Sequence, residues 1–370
     1  MTKVLVYGLK DPIGGVERVV FEYVRGITKT HNDITFHFMF HADSFSLEKE
    51  IKEMGCDVVY LPSRKDNYKA YKTALEKVFE NNDYSAVWGN YSGLTNIDLL
   101  KSAKKHNIPI RIAHSHVTKL FWGSRITALI GPYLHNFNKF ILPSFATDYW
   151  ACSIEAGKFM FPKSTHNKIL VVNNSVDTDI FYPSAEIREK VRKDFGFGDD
   201  TVVIGHVARI CEAKNQAFLL KAFAEALKIQ PNARLLFVGD GELREQIHKV
   251  ADELNLNDAV VFTGERDDVA TLLNAMDVFV LPSLAEGFGI CVIEAQACNV
   301  PCVVSDVVPT QTDITNSTKY VSLNQSAKEW AEIILQQANV KLTNGKENVI
   351  NNNFEIYTEA NKTYMKLMGK

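Results

Sequence analysis

The chain of 370 residues lacks several features that mark common classes of protein. It contains no run of about 20 apolar residues, so no membrane-crossing helix is expected. Its net charge is −3 and it has no long run of lysine or arginine, which argues against binding to nucleic acid. Strand-like residues begin at residue 3 and leave no room for a signal peptide. These absences predict a cytoplasmic protein.

Patterns that bind metal are also scarce. The six cysteines are scattered, and the close pair Cys298 and Cys302 lacks a histidine or a second cysteine pair beside it. We interpret the cysteines as buried thiols of a reducing compartment. No Asp-x-Asp pattern occurs in a strand context. We therefore expect no metal ion and no cofactor.

Strand-like and helical segments alternate along the whole chain. Short apolar strands followed by amphipathic helices, in two successive series, predict an α/β fold with two doubly wound parallel sheets. The length also favours two domains. The strands are predicted at residues 3–7, 34–40, 58–61, 86–88, 110–114, 140–143, 202–206, 234–238, 260–263, 278–282 and 302–305.

The boundary between the domains is predicted from turn-forming residues. Residues 174–183 are typical of a turn and connector, which gives an N-terminal domain over 1–177 and a C-terminal domain over 178–353. Helical spacing resumes near residue 354. Residues 354–370 are expected to form a last helix that packs back onto the first domain, although a helix packed only on the second domain is not excluded by the sequence.

The most informative segment is residues 282–295, which lead from an apolar strand through a glycine-containing loop into a helix. Gly287 and Gly289 lack a Cβ where a ligand would need to approach the backbone closely. The following helix offers free N–H groups and the positive end of its dipole, which suit a diphosphate. The carboxylates of Glu286 and Glu294 suit sugar hydroxyls. The segment predicts a receptor for a sugar nucleotide.

The E-x7-E spacing of these glutamates resembles the signature of retaining glycosyltransferases of family 4, which have the GT-B fold. Further segments over most of the chain are similar to this family in order and separation: residues 14–18, 113–116, 151–156, 205–209 with 214–215, 238–242 and 262–264. The resemblance implies two Rossmann-like domains facing each other across a cleft, with the nucleotide sugar on the C-terminal domain. It is strongest to the capsular and exopolysaccharide branch.

The resemblance also implies a role for each candidate residue. Arg209 and Lys214 match the family's R-x4-K pair and would bind the diphosphate in place of a metal ion. Glu286 would contact a hydroxyl of the donor sugar, and Glu294 would accept from the ribose hydroxyls. The remaining donor-binding candidates are Gly14, Gly15, Gly239, Gly241, Arg266, Gly287, Phe288, Gly289 and Ile290, the last three through backbone N–H groups.

Two histidines end a predicted strand of the N-terminal domain. His114 and His116 are two residues apart, so both point to the same side of the strand. They resemble the family's H-S-H element, in which His116 would contact the donor sugar near the reacting carbon and His114 would lie on the acceptor side. A strand histidine is otherwise usually a buried core residue.

One residue departs from the family pattern, and one segment stays open to two interpretations. Asn299 stands where relatives often have glycine, and asparagine is the next best residue for a left-handed helix cap. Residues 118–139 mix aromatic residues with basic ones. This segment suits either a peripheral contact with a membrane, where lipid-linked acceptors lie, or a helix that buries its aromatics in the core.

The sequence as a whole predicts a retaining, metal-independent, hexosyltransferase-type glycosyltransferase. Its co-substrate would be a nucleoside-diphosphate sugar, with UDP favoured, and its acceptor a saccharide or lipid-linked saccharide of surface polysaccharide biosynthesis. A UDP-N-acetylglucosamine 2-epimerase shares the fold but lacks the E-x7-E arrangement and needs no acceptor. A non-catalytic partner subunit that binds sugar nucleotides is the other alternative. The sequence does not predict the oligomeric state.

Overall fold

The computed structural model describes residues 1–11, 14–120 and 125–370, and these divide into two compact units. Unit 1 contains Met1–Ser175 and Ile356–Lys370, and unit 2 contains Val176–Glu355. Each unit is built on one parallel β-sheet flanked by helices. The predicted α/β fold with two doubly wound, Rossmann-like domains is confirmed.

The sheet of unit 1 has seven strands in the described part of the chain, in the order β3-β2-β1-β4-β5-β6-β7. These strands are β1 (Thr2–Tyr7), β2 (Ile34–Phe40), β3 (Asp57–Tyr60), β4 (Ala86–Tyr91), β5 (Ile110–Ser115), β6 (Asp148–Ala151) and β7 (Ile169–Val171). The helices of this stretch are α1 (Gly15–Thr30), α2 (Glu48–Glu53), α3 (Tyr68–Glu80), α4 (Asp98–Lys105), α5 (Arg125–Ile141) and α6 (Ile154–Met160). The strand order reverses between β1 and β4, where a doubly wound sheet places its ligands.

The central strand β1 shows why the buried part of a strand is continuously apolar. Val4 and Val6 pack in one core cluster with Val20 of α1, whereas Leu5 packs in another with Leu75 of α3. Successive side chains of a strand point to opposite faces, and helices cover both faces here. Burial on both sides therefore selects a continuous apolar run.

The prediction of a strand over residues 140–143 is wrong. Helix α5 continues to Ile141, a 3₁₀ turn follows at Leu142–Ser144, and β6 comes only at Asp148–Ala151. A short apolar run has too few residues for its period to separate a strand from a helix end. Its Pro143 also cannot donate to a sheet ladder.

The sheet of unit 2 has six strands in the order β10-β9-β8-β11-β12-β13. They are β8 (Val203–Val207), β9 (Arg234–Val238), β10 (Val260–Gly264), β11 (Val278–Leu281), β12 (Cys302–Ser305) and β13 (Lys319–Val321). The helices are α7 (Ala185–Asp194), α8 (Gln216–Ile229), α9 (Arg244–Glu253), α10 (Val269–Asn274), α11 (Ile290–Ala297), α12 (Ala327–Gln337) and α13 (Gly345–Asn351). The order reverses between β8 and β11, so the loops after these two strands lie side by side.

The last helix, α14 (Ile356–Leu367), belongs to unit 1 and packs on α1. A Cβ added to Gly26 of α1 would lie 2.9 Å from the Cβ of Ala360, so the missing side chain permits the close approach of the two helices. Tyr364 stacks on His31 with ring centroids 3.6 Å apart and donates to the carboxylate of Asp33 at 2.9 Å. The C-terminal segment thus completes the core of unit 1.

The cysteines are free thiols, and none of them is fully exposed. Burial raises the pKa of Cys56 to about 11 and that of Cys152 to about 12. No helix among the described residues is both long enough and apolar enough to cross a membrane.

Candidate functional site

An ion pair joins the two loops at the switch point of unit 2. Lys214 follows β8, Glu286 follows β11, and the Lys214 ammonium donates to the Glu286 carboxylate. The lysine side chain is 21% exposed and the glutamate side chain 10%, so the pair is largely withdrawn from water. The structure therefore brings together two of the predicted catalytic residues, which are far apart in sequence.

Backbone contacts hold these two loops in place. The N–H of Leu284 donates to the carbonyl of Ala213 at 2.8 Å, next to Lys214. Ser305, at the end of β12, donates its hydroxyl to the carbonyl of Ser283 at 2.6 Å. Ser283 in turn donates to Oε2 of Glu286 at 3.3 Å. The pair is therefore positioned by three neighbouring strands.

Lys214 remains a cation in this setting. Burial by itself lowers the pKa of a lysine, but the adjacent Glu286 carboxylate outweighs it and leaves the pKa of Lys214 above its ordinary value. A half-buried ammonium that keeps its charge is suited to bind the oxygens of a phosphate.

The glycine loop after β11 ends at the first turn of α11. Gly289 precedes α11 with φ +89°, a left-handed conformation that a side chain would strain. Glycine has no side chain that could accept from the first N–H groups of the helix, so these suit an anionic ligand. Phe288 buries its ring against Phe354 and fixes the loop to the core, while Ile290 begins the helix. Gly287 donates its N–H to Oε1 of Glu286 at 3.2 Å.

Glu294 lies in the second turn of α11 and is half-buried. It stands eight positions after Glu286, so the helix carries it beyond the loop that holds the first glutamate. Glu286 therefore lies in the loop, and Glu294 lies in the helix that follows it.

Arg209 has a different carboxylate partner from Lys214. Its Nε donates to Oε2 of Glu242 at 3.0 Å, and both side chains are more than half exposed. An exposed pair of this kind contributes little to stability, so the guanidinium can exchange its partner at low cost.

Gly239 and Gly241 permit the chain after β9 to lie against the Arg209 loop. A Cβ on Gly239 would lie 2.0 Å from the carbonyl oxygen of Ala208, and one on Gly241 would lie 2.2 Å from that of Ile210. The two glycines were predicted as ligand-binding residues. The structure also gives these glycines a packing role, because the absence of side chains lets the chain after β9 contact the backbone of the Arg209 loop.

Buried hydrogen bonds of His206 and Gln216 also hold the Arg209 loop in place. His206 donates from Nδ1 to the carbonyl of Val280 at 2.8 Å, and its Nε2 accepts from the amide of Gln216 at 3.3 Å. The same amide of Gln216 donates to the carbonyl of Arg209 at 2.9 Å. Burial lowers the pKa of His206 to about 4, which keeps the imidazole neutral.

Arg266 is not brought to the Lys214–Glu286 pair by any contact in the described residues. It lies in the loop after β10 and makes two hydrogen bonds of 2.7 Å to Asp268, two residues later. Its role in donor binding stays a prediction.

In unit 1 the two predicted histidines lie side by side at the end of β5. Their ring centroids are 4.0 Å apart, so both point to one side of the strand as their spacing predicts. His116 donates from Nε2 to the side-chain oxygen of Asn90 at 2.9 Å, and Asn90 donates to the carbonyl of Tyr7 at 3.1 Å. Asn90 at the end of β4 thus fixes the ring orientation.

His114 has an unused donor. Its Nδ1 accepts from the indole N–H of Trp88 at 3.1 Å, which places its proton on Nε2. This Nε2 is buried and has no hydrogen-bond partner among the described residues. Burial lowers the pKa of His116 to about 3, and burial with the neighbouring His116 lowers the pKa of His114 well below its usual value. Both rings are neutral at pH 7.

The N-terminal glycines lie at the first turn of α1, which follows β1. The carboxylate of Glu17 accepts from the N–H groups of Gly14 at 2.9 Å and Lys10 at 3.0 Å. Glu17 therefore closes the start of the helix with hydrogen bonds, in addition to its favourable charge there. A Cβ on Gly15 would meet nothing within 4 Å, so crowding inside the protein does not explain this glycine.

Several supporting residues were missed from the sequence. Asn90, Gln216 and Ser283 each hold a predicted residue through a hydrogen bond. Ser283 lies inside the informative segment and could have been noticed there, whereas Asn90 and Gln216 carry no sequence signal. Within the described residues, no group of His, Cys, Asp and Glu is arranged to hold a metal ion.

Comparisons with known proteins identify the family to which the chain belongs. A family model described as "Glycosyl transferases group 1" matches residues 187–353. A protein of Bacillus subtilis (strain 168) named "Putative glycosyltransferase EpsF" is 31% identical over 335 residues, which are 88% of this chain and 85% of that protein. The chain belongs to the group 1 glycosyltransferases.

Two further similarities concern a shorter stretch of this glycosyltransferase and its overall fold. The UDP-Gal:alpha-D-GlcNAc-diphosphoundecaprenol alpha-1,3-galactosyltransferase of Escherichia coli is 35% identical over 147 residues, covering 38% of this chain and 37% of that protein. The crystal structure of Anabaena HepE in complex with UDP and glucose matches with a TM-score of 0.79 at 18% identity, over 100% of both chains. The structural match shows the GT-B fold for this glycosyltransferase.

Proposed function

We propose that this group 1 glycosyltransferase transfers a sugar from a nucleoside-diphosphate sugar, with UDP favoured, to a saccharide or lipid-linked saccharide of a surface polysaccharide, with retention of configuration and without a metal ion. The observation that carries the proposal is the Lys214–Glu286 pair beside the uncapped start of α11. The E. coli relative, which is named for UDP-galactose and a diphosphoundecaprenol acceptor, supports the choice of donor and acceptor class.

The diphosphate would lie at the start of α11, after Gly287 and Gly289. Negative charge grows on the leaving phosphate as the bond to the anomeric carbon breaks, and preplaced donors stabilise it most. The Lys214 ammonium, the first N–H groups of α11 and the Arg209 guanidinium supply such donors, because Arg209 can leave Glu242 for a phosphate. These groups would do the work that a metal ion does in other transferases.

The sugar and the ribose would be held by carboxylates. Glu286 would keep one oxygen on Lys214 and accept from a hydroxyl of the donor sugar with the other, which orients the ring. Glu294 would accept from the ribose hydroxyls. His116, neutral and fixed by Asn90, would contact the donor sugar near its anomeric carbon, and the unused Nε2–H of His114 would donate to an oxygen of the substrate.

We favour an internal-return reaction. The bond between the anomeric carbon and the donor phosphate oxygen breaks, and its electron pair stays on the phosphate. The acceptor hydroxyl then bonds to the anomeric carbon on the same face, and its proton passes to that phosphate oxygen. No protein nucleophile is required, and the product keeps the donor's configuration.

A donor screen tests the proposal. Purified protein is combined with UDP-, GDP- and ADP-sugars, with and without EDTA, while nucleotide release and thermal stabilisation are measured. We expect one donor to stabilise the protein and to be hydrolysed slowly in an EDTA-insensitive reaction. Glu294→Ala should lose both effects, and Glu332→Ala on the exposed face of α12 should keep them.

Each alternative function gives a different result in the same screen. Complete turnover of a UDP-sugar to its epimer without an acceptor would assign an epimerase. Tight donor binding without release on any acceptor would assign a non-catalytic subunit. The absence of any response to nucleotide sugars would contradict the proposal.

A further inference from the structure

Helix α5 turns its apolar side outward. The chain's most exposed large apolar residues include Tyr133, Phe137 and Phe140, which are 78%, 60% and 80% exposed. The same face also carries Leu129, Ile130 and Leu134, all of them exposed. A surface helix of a globular protein normally buries this kind of face, so α5 requires another explanation.

The opposite face of α5 is buried and polar. His135 accepts at Nδ1 from the N–H of Leu94 at 3.1 Å, and Asn138 donates to the carbonyl of Leu94 at 2.7 Å. Gly131 lies on the same buried side. These hydrogen bonds fix the rotation of the helix, and they leave the aromatic residues with no place in the core of unit 1. The interpretation of residues 118–139 as a helix that buries its aromatics therefore fails for Tyr133 and Phe137, while Phe121 and Trp122 lie outside the described residues.

The chain segment that contains α5 carries charge of one sign. Residues 99–147 contain seven Lys or Arg and no Asp or Glu, in a chain whose net charge is −3. Lys101 and Lys104 lie over the ring of Phe145, just beyond the end of α5, at 5.8 and 5.4 Å. An exposed apolar face in a segment whose charged side chains are all Lys or Arg is complementary to a surface that is both anionic and apolar.

We propose that α5 docks the protein on an anionic lipid bilayer, with the helix lying in the plane of the headgroups. Tyr133, Phe137 and Phe140 would enter the boundary between headgroups and acyl chains, and the lysines of α4 would contact acidic headgroups. The helix has 17 residues and includes His135 and Lys139, which is typical of an interfacial helix and not of a membrane span.

Helix α5 follows the strand that carries the two candidate histidines, so docking at α5 would bring this part of unit 1 close to the membrane. His116 follows β5, and α5 begins nine residues later at Arg125, so the two are at most about 30 Å apart along the chain. A bilayer that contacts α5 along its length would therefore lie near the chain segment that follows the two histidines. The docking itself does not depend on which donor or reaction the protein uses.

Vesicle binding tests the inference directly. The full chain is mixed with vesicles of phosphatidylcholine alone or of phosphatidylcholine with about 30% phosphatidylglycerol, and the bound fraction is measured by flotation. We expect binding to the anionic vesicles that weakens with salt, and at least about tenfold weaker binding to neutral vesicles, because each basic residue near an anionic surface contributes about fivefold.

Paired variants separate the apolar and the basic contributions. Phe137→Ser with Phe140→Ser should weaken binding at least about tenfold, since each ring would otherwise bury apolar area in the boundary region. The control is Ile229→Ser with Ile350→Ser, two apolar residues of unit 2 that are 51% and 46% exposed. It should bind like the wild type.

A second pair of variants reverses charge. Lys101→Glu with Lys104→Glu should weaken binding to anionic vesicles and leave neutral ones unaffected. Lys193→Glu with Lys328→Glu, at exposed positions of α7 and α12, should change neither. Sedimentation equilibrium of the wild type measures whether the chain forms a dimer in the absence of lipid.

Three results would overturn the inference. The first is a failure of the wild-type protein to float with anionic vesicles. Equal binding by the Phe137 and Phe140 double variant would show that α5 is not the contact. A stable dimer without lipid that this double variant dissociates would assign the face to a second copy of the chain.

Discussion

Replacing Gly241 by alanine would press a methyl group into the backbone of the loop that carries Arg209. The added Cβ would lie 2.2 Å from the carbonyl oxygen of Ile210 and 2.8 Å from its nitrogen, distances that no real Cβ contact tolerates. The loop cannot give way freely, because the N–H of Ile210 is bonded to the carbonyl of Asp240 at 2.9 Å. A displacement of roughly 1 Å is therefore expected, and this is enough to lower a catalytic rate on the order of 100-fold.

The matched control is Gly196→Ala, in the turn after α7. Gly196 has φ +70° and an added Cβ would meet nothing within 4 Å, so this variant introduces backbone strain without a collision. We expect both variants to lose about 1–3 kcal/mol of unfolding free energy, Gly196→Ala through the left-handed conformation and Gly241→Ala through overpacking. Only Gly241→Ala should also lose about 100-fold in kcat/KM for the donor.

The assay combines urea unfolding with initial rates of nucleotide release from the donor identified by the screen. Measuring both on the same preparations separates a misplaced loop from a merely less stable protein. Wild-type kcat/KM in Gly241→Ala would refute the reasoning that this glycine positions the Arg209 loop. An equal loss of activity in Gly196→Ala would show that general destabilisation is the cause.

Three further predictions concern stability. The pKa values of His116 and His206 are lowered to about 3 and about 4 in the folded protein, so the unfolded chain binds protons first as the pH falls below about 6.5. Each histidine should therefore remove about 2 kcal/mol of unfolding free energy between pH 7 and pH 5, and a histidine-to-glutamine variant should flatten that slope in urea titrations. Asn299→Gly keeps the positive φ of 60° but loses the 2.8 Å hydrogen bond from the N–H of Gly345 at the start of α13. Calorimetry should show a loss of about 1 kcal/mol of unfolding free energy. An unchanged unfolding temperature would mean that this hydrogen bond contributes nothing to stability. Tyr364→Phe keeps the stacked ring but loses the hydrogen bonds to Asp33, and calorimetry should show a loss of about 1 kcal/mol.

Most strands of at least four residues were predictable because they contain short apolar runs, and in central strands such as β1, β8 and β11 these runs are buried on both faces. The exception is β6 at Asp148–Ala151, because the apolar run at residues 140–143 was predicted as this strand instead. The three-residue strands β7 and β13 were not predicted, since three residues carry no period. Short edge strands are recognised only once their neighbours are in place.

The sequence predicted the individual residues of the candidate site but not which of them contact each other. The spacing of Glu286 and Glu294 and the loop position of Lys214 are local properties, which a sequence displays directly. The ion pair between Lys214 and Glu286 joins residues 72 positions apart, and it forms because β8 and β11 are neighbours in the sheet. Strand order is a property of the whole unit. The contact of Gly239 with the Ala208 carbonyl has the same origin, so a glycine assigned only to a ligand proved to have a packing role too.

The central claim is that Lys214 stabilises the leaving diphosphate in a metal-independent transfer. The most direct measurement is kcat/KM for donor turnover in Lys214→Met, with Lys221→Met on the exposed side of α8 as the control, in buffer containing EDTA. The account predicts a fall of about 10²- to 10³-fold for Lys214→Met, equivalent to about 3–4 kcal/mol of transition-state stabilisation, and wild-type turnover for the control. Turnover in Lys214→Met equal to that of Lys221→Met, or wild-type turnover abolished by EDTA, would contradict it.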